Sequence, residues 1–182
     1  YVQRVAEAGG GLPIVLYLRN DGIGLDAIEQ LCRIPGVAGV KWASPSPLRL
    51  AEAIRRADPA TVWVGGLAEV WAPPFYAVGA RGFTSGLINV WPEHSVAIHA
   101  ALAAGDYTRA NALIGTMGAF EELRAEEGNG TNVSVVKAAL KMMGQDCGHV
   151  RPPGAWPVTE RQATLLQKRL GEWGLLAGRQ AA

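Results

Sequence analysis

An α/β fold with a parallel sheet is what this 182-residue sequence predicts. Three observations carry the prediction. Short apolar runs of strand composition alternate with segments of helical spacing. The alternation repeats at a spacing of about 20–25 residues, short even for a strand–helix unit, which suits a barrel with tight loops. The runs themselves are apolar on both faces, as parallel strands covered by helices are. Four such units cannot close an eight-stranded barrel, so either the sheet is open or the other half lies elsewhere.

Residues 1–8 read as a helix without a starting Met or a signal-peptide pattern, like a protein entered partway. Gly9 to Pro13 make a turn, and Ile-Val-Leu-Tyr-Leu over 14–18 is the first strand. Arg19-Asn20-Asp21-Gly22 is turn-like. Leu25, Ile28, Leu31 and Cys32 recur at helical spacing over 25–34, and Pro35-Gly36 stops that helix. The second strand is 37–41. A loop ends at Pro47, a residue suited to a helix's first turn, and a helix over 48–57 follows. The third strand, 61–64, runs into Gly65-Gly66, and 68–78 is a helix expected to bend at Pro73-Pro74. A fourth strand covers 82–85. Beyond it the spacing predicts only helices, over 92–104, 106–127, 133–143 and 159–173.

Composition narrows the function classes. Hydrophobic residues make up 49% and charged residues 18%, which is globular. The net charge is +1 and no basic run exceeds Arg55-Arg56, so a nucleic-acid footprint is not expected. No apolar stretch reaches the length of a bilayer span. The expectation is a cytoplasmic protein with no nucleic-acid or membrane partner. Cys32 and Cys147 have no motif spacing and read as free thiols. The sequons at Asn129 and Asn132 carry little weight without a secretory signal. His94 and His99 are five apart and do not share a helix face, and His149 lies in a loop, so no metal site is expected. There is no phosphate-binding loop, and Gly9-Gly10-Gly11 precedes a strand where a dinucleotide fingerprint follows one.

In parallel α/β folds, ligands bind at the C-terminal ends of the strands. Here those ends carry Tyr17 and Arg19, Lys41, Gly65-Gly66, and Thr84-Ser85 followed by Asn89. The chain has 4 lysines against 13 arginines, so a lysine closing an apolar strand stands out. A desolvated amine gives up its proton and adds to a ketone, which a guanidinium does not. The plain alternative is a lysine that snorkels outward. Tyr17 is placed to move protons, or else packs as an ordinary core tyrosine. Arg19 suits a carboxylate, or is a solvated loop residue. The glycines permit close approach of a ligand, and an ordinary turn is as good a reading. The hydroxyls of Thr84 and Ser85 line the site or satisfy local backbone.

Read together, Ile-Val-Leu-Tyr-Leu-Arg-Asn over 14–20 and Gly-Val-Ala-Gly-Val-Lys over 36–41 resemble the dihydrodipicolinate synthase / N-acetylneuraminate lyase family of class I aldolases and dehydratases. The resemblance runs over nearly the whole chain. It implies that Lys41, closing a Gly-x-Lys strand, is the Schiff-base lysine and that Tyr17 is the proton relay. Within the family, the stretches 63–70, 83–89, 132–137 and 148–153 look like those of 5-dehydro-4-deoxyglucarate dehydratases. The family's Tyr-Asn-Arg reads Tyr17-Leu18-Arg19 here, and the dehydratases' Lys-Asp-Gly reads Lys41-Trp42-Ala43. The synthases' proline-containing turn after the tyrosine is absent.

The resemblance implies a (β/α)8 TIM barrel, of which 1–105 is the second half, strands five to eight, and 106–182 a C-terminal helical region. The loop that cradles the keto-acid carboxylate would lie outside this sequence. The expected activity is that of a Schiff-base lyase, aldolase or dehydratase, on pyruvate or a longer 2-keto acid or keto-sugar acid. Lys41 and Tyr17 would be catalytic, with Arg19, Gly65, Gly66, Thr84, Ser85 and Asn89 binding substrate, and no metal or organic cofactor needed. A homo-oligomer, dimer or tetramer, is also implied. Two other readings stand beside this one. A non-catalytic keto-acid or sugar-acid binding protein would be favoured if Trp42 crowds the amine. An assembly module would use Met142-Met143, Leu165-Leu166 and Trp173 as an oligomer face, unless they pack within the chain.

Overall fold

The alternation is present in a computed structural model that describes residues 1–153 and 156–176. Helix α1 (Val2–Ala8) leads to β1 (Ile14–Leu18), α2 (Leu25–Cys32), β2 (Val37–Trp42), α3 (Pro47–Arg56), β3 (Val62–Gly65), α4 (Ala72–Ala77) and β4 (Gly82–Phe83). The strands form a 4-stranded sheet in the order β1-β2-β3-β4, every pair parallel. Each strand therefore pairs with the next after one helical crossover, as a βα repeat requires. Helices α5 (Pro92–Ala103), α6 (Tyr107–Asn129), α7 (Asn132–Met142) and α8 (Glu160–Glu172) follow. The chain groups into two compact units, Tyr1–Ser85 with His99–Ala110, and Gly86–Ile98 with Asn111–Ala182.

Local chemistry explains most boundaries in the first unit. Gly36 takes φ 92 at the turn into β2, a conformation a side chain resists. Pro47 opens α3, where a missing N–H costs nothing, and Arg55 and Arg56 close it, where positive charge meets the carbonyl end of the helix. Pro73 and Pro74 do not bend a helix as expected. They sit in the first turn of α4, preceded by a separate 3-10 turn at Glu69–Trp71, which is where prolines fit. Strand β4 ends at Phe83, earlier than the expected 85, although the Thr84 N–H still donates to Gly65 O at 2.8 Å.

One face of the sheet is packed: Leu16, Leu18, Val40, Trp42 and Trp63 are buried together with Ile28 and Cys32 of α2, Leu50 and Ala53 of α3, and Phe75 of α4. The Trp42 and Trp63 rings meet at 6.3 Å between centroids. Burial raises the Cys32 thiol above its ordinary pKa. On the other face Val15, Tyr17 and Val62 remain 57%, 53% and 51% exposed. The period of two in a strand separates the faces, so neighbours in sequence have opposite fates.

In the second unit, α6 is broken near its end. Glu126 is extended, and Glu127 and Gly128 are left-handed. The Thr131 hydroxyl donates to Leu123 O at 2.7 Å, satisfying a carbonyl at the terminus. Thr159 and Gln162 form a capping box at the start of α8. The Trp91 ring stacks on His94 at 4.0 Å and on Trp173 at 5.0 Å, and Leu166 is fully buried. Leu166 and Trp173 thus pack inside the chain. Met142, Met143 and Leu165 are half-buried. Cys32 and Cys147 are both free thiols. No helix among the described residues is long and apolar enough to cross a membrane.

Candidate active site

The strand register sets the site. Tyr17 pairs with Lys41, Lys41 with Val64, and Val64 with Gly82, so these four form one row across the C-terminal ends of the strands. Paired residues on parallel strands point to the same face, about 4.8 Å apart. The row lies on the open face. Lys41 Nζ sits 4.3 Å from the centroid of the Tyr17 ring. The Arg19 guanidinium carbon is 5.8 Å from that same centroid. Two basic side chains thus converge on one phenol.

Trp42 does not crowd the amine. It is 1% exposed and belongs to the next row, Leu18–Trp42–Gly65–Phe83, which faces the helices. The two expected site glycines part in the same way. A Cβ on Gly66 would lie 3.0 Å from Lys41 Cε and 2.8 Å from Ala43 Cβ, so this glycine leaves the lysine stem its path. A Cβ on Gly65 would instead strike Phe75 at 2.9 Å. Gly65 therefore leaves room for the Phe75 ring of α4. Beneath the row lie Val15, Gly39 and Val62, in register with one another. A Cβ on Gly39 would come within 2.5 Å of Val62 O.

Alternation from Gly82 puts Thr84 on the side of the lysine row, and Thr84 is exposed there. Ser85 is half-buried. Asn89 belongs to the second unit, where its amide donates to Gly86 O at 3.2 Å. Gly86 in that unit is hemmed by Arg124, whose guanidinium carbon would be 2.4 Å from a Cβ. Arg124 is itself 8% exposed and donates to Asn132 Oδ1 at 2.8 Å and to Glu121 at 2.5 Å. The histidines have structural contacts. His94 Nε2 is 2.8 Å from Leu113 O, and His99 Nδ1 is 2.6 Å from the Tyr76 hydroxyl. Burial pushes that phenol's pKa up to about 12, so it keeps its proton.

Sequence reasoning missed two features. Val64 flanks Lys41 directly, and only the strand register reveals it. The loops after β1 and β2 are also joined through side chains. The Ser44 and Ser46 hydroxyls donate to Asp21 Oδ1 at 2.6 and 3.0 Å, with Arg49 Nε at 3.6 Å. The hydrogen bond from Ser44 holds the Asp21 carboxyl below its ordinary pKa against the opposing effect of burial, with help from Ser46 and the Arg49 charge. Residues more than 20 positions apart meet here, and no local spacing signals it.

A profile of the dihydrodipicolinate synthetase family matches residues 1–172. The chain is 32% identical over 173 residues to a Streptomyces coelicolor protein described as "Probable 5-dehydro-4-deoxyglucarate dehydratase 1", covering 90% of this chain and 54% of that one. A Rhizobium rhizogenes protein described as "Probable 5-dehydro-4-deoxyglucarate dehydratase" is 30% identical over 162 residues, 86% of this chain and 53% of its own length. Among solved structures, dihydrodipicolinate synthase from Bacillus clausii superposes with a TM-score of 0.86 at 31% identity, over 94% of this chain and 58% of that one. The Oceanobacillus iheyensis enzyme gives 0.83 at 32% identity, over 89% and 54%. The chain spans about half the length of the curated relatives it matches. It belongs to the dihydrodipicolinate synthetase family, and its βα units with the helices that follow are the C-terminal half of that family's (β/α)8 barrel.

Proposed function

We propose that the whole protein is a Schiff-base-forming lyase in which Lys41 is the nucleophile. One observation carries the reading. Lys41 Nζ lies 4.3 Å from the centroid of the Tyr17 ring, at the C-terminal ends of adjacent parallel strands. The amine adds to the C2 carbonyl of a 2-keto acid, giving a carbinolamine. Tyr17 passes a proton to the carbinolamine oxygen, water leaves, and a protonated imine remains. The imine is the electron sink: either the C3–C4 bond breaks with its electron pair passing into the imine, or C3 loses a proton to give an enamine that expels the C4 hydroxyl, which leaves as water. Water then hydrolyses the imine and frees the Lys41 amine. Arg19 binds the acidic end of the substrate, while Thr84, Ser85 and the backbone at Gly66 line its path.

The names of the curated relatives favour dehydration of a keto-sugar acid over carbon–carbon cleavage. Pyruvate is the minimal ligand. We further propose a cytoplasmic homo-oligomer. The reading as a non-catalytic binding protein loses its support, because Trp42 lies in the helical layer and leaves the amine open.

Borohydride reduction in the presence of pyruvate tests the proposal. A reduced pyruvate adduct on Lys41, absent in Lys41→Ala, is the expected result. Active protein whose Lys41 stays unmodified overturns it.

A further inference from the structure

We infer that Asp21 is a positioning residue of this site. Its carboxylate, held by Ser44 and Ser46, clips the loop after β1 onto the loop after β2 and so fixes Arg19 for an anionic group at the far end of the 2-keto acid. The nature of that ligand rests on the lyase reading above.

The segment Arg19-Asn20 is pinned at both ends. On one side the Ala43 N–H donates to Leu18 O at 2.8 Å, extending the sheet by one rung. On the other, Asp21 Oδ1 accepts from Ser44 Oγ at 2.6 Å and Ser46 Oγ at 3.0 Å. The two hydroxyls also lie 3.0 Å from each other. Ser44 is only 2% exposed, so its hydroxyl is spent on this contact. Arg49 adds a third tie. Its Nη2 donates to Ile23 O at 2.5 Å, and its buried Nε faces Asp21 at 3.6 Å. Asn20 turns its own Oδ1 back to the Gly22 N–H at 3.0 Å, tightening the loop between these points.

Ser44 stands three residues beyond Lys41, so the clip ties the arginine loop to the strand that carries the nucleophile. A loop ordered before binding does not charge its ordering entropy to the ligand. The Asp21 carboxylate is already engaged by two hydroxyls and Arg49, which suits holding a loop and not moving protons in turnover.

The test uses the whole protein with two probes, pyruvate and 2-oxoglutarate, the second carrying a distal carboxylate. Half-saturating concentrations are read from borohydride trapping on Lys41, and amide exchange is followed over 19–24. Asp21→Ala is expected to raise the half-saturating 2-oxoglutarate concentration on the order of tenfold, the loss of one preorganised charge-assisted contact. Pyruvate should be unaffected. Asp21→Asn keeps an oxygen for both hydroxyls and should restore part of the loss. Exchange should quicken in 19–24 and not in β1 or β2. Equal weakening of both probes, no weakening of either, or unchanged exchange overturns the inference. Wild-type protein that traps pyruvate and not 2-oxoglutarate overturns the ligand assigned to Arg19. If neither keto acid is trapped on wild-type Lys41, it is the lyase reading that falls, and the exchange measurement still judges the clip.

Discussion

The two faces of the sheet are built from the same strands and share almost nothing else. Toward the helices, Leu18, Trp42 and Trp63 are 5%, 1% and 3% exposed. On the opposite face, Tyr17 sits beside Lys41 and keeps half its surface open. Lys41 and Trp42 are adjacent in sequence and belong to opposite rows of the register. The lesson is that one step along a strand separates folding energy from chemistry. Substitutions on the two faces should therefore fail in different ways.

The largest effect is expected at the tryptophan. Trp42→Ala removes a buried side chain packed against Trp63 and should cost about 3–5 kcal/mol, the usual range for a truncated core aromatic. A urea midpoint measures it. Lys41→Ala, one residue away, should shift that midpoint by no more than ~0.5 kcal/mol and abolish borohydride trapping. If Lys41→Ala destabilises as much as Trp42→Ala, the division of the faces is wrong.

Tyr17 and Gly66 sharpen the contrast within the open face. Tyr17→Phe keeps the ring beside Lys41 and loses the hydroxyl proposed to carry the proton, so imine formation should slow by about 10²-fold with stability unchanged. Gly66→Ala sets a methyl 3.0 Å from Lys41 Cε, tighter than ordinary contact, and displaces the amine. Trapping should fall by less than in Tyr17→Phe, with a loss of stability as well, because the nearest obstruction is Ala43 Cβ at 2.8 Å, which is fixed to the backbone. Gly65→Ala, whose methyl meets Phe75, should destabilise without specifically slowing trapping. Single-turnover trapping rates beside urea midpoints compare all three.

Much of this was legible in the sequence. The alternation of apolar runs with helical spacing located the strands to within a residue or two, because burial imposes period and composition locally. The meeting of Lys41 with Tyr17 was legible because both stand at the ends of consecutive apolar runs, which parallel pairing brings side by side. The orientation of Trp42 needed the strict period of two, which an apolar run on both faces conceals. Gly65 and Gly66 read alike, and only the positions of Phe75 and Lys41 separate them. The bond from Asp21 to Ser44 spans a crossover, and no local pattern encodes it.

The smallest effect tests whether the open side contributes to folding at all. The Asp21 carboxyl is held below its ordinary value by Ser44 first, with Ser46 and Arg49 adding to it. A carboxylate whose pKa is depressed by folding binds protons more weakly in the native state than in the unfolded chain. Its contribution is therefore fully present above the unfolded value of about 3.9 and disappears as pH falls through the lower folded value. Wild-type protein should be more stable than Asp21→Asn at pH 6, by less than about 1 kcal/mol because the side chain is half exposed. As pH falls through the lowered folded value the difference should close, since both then carry a neutral group. Urea midpoints of the pair across that range decide it. A gap that persists at low pH would mean that the carboxylate's charge contributes nothing and that the loop is held by shape alone.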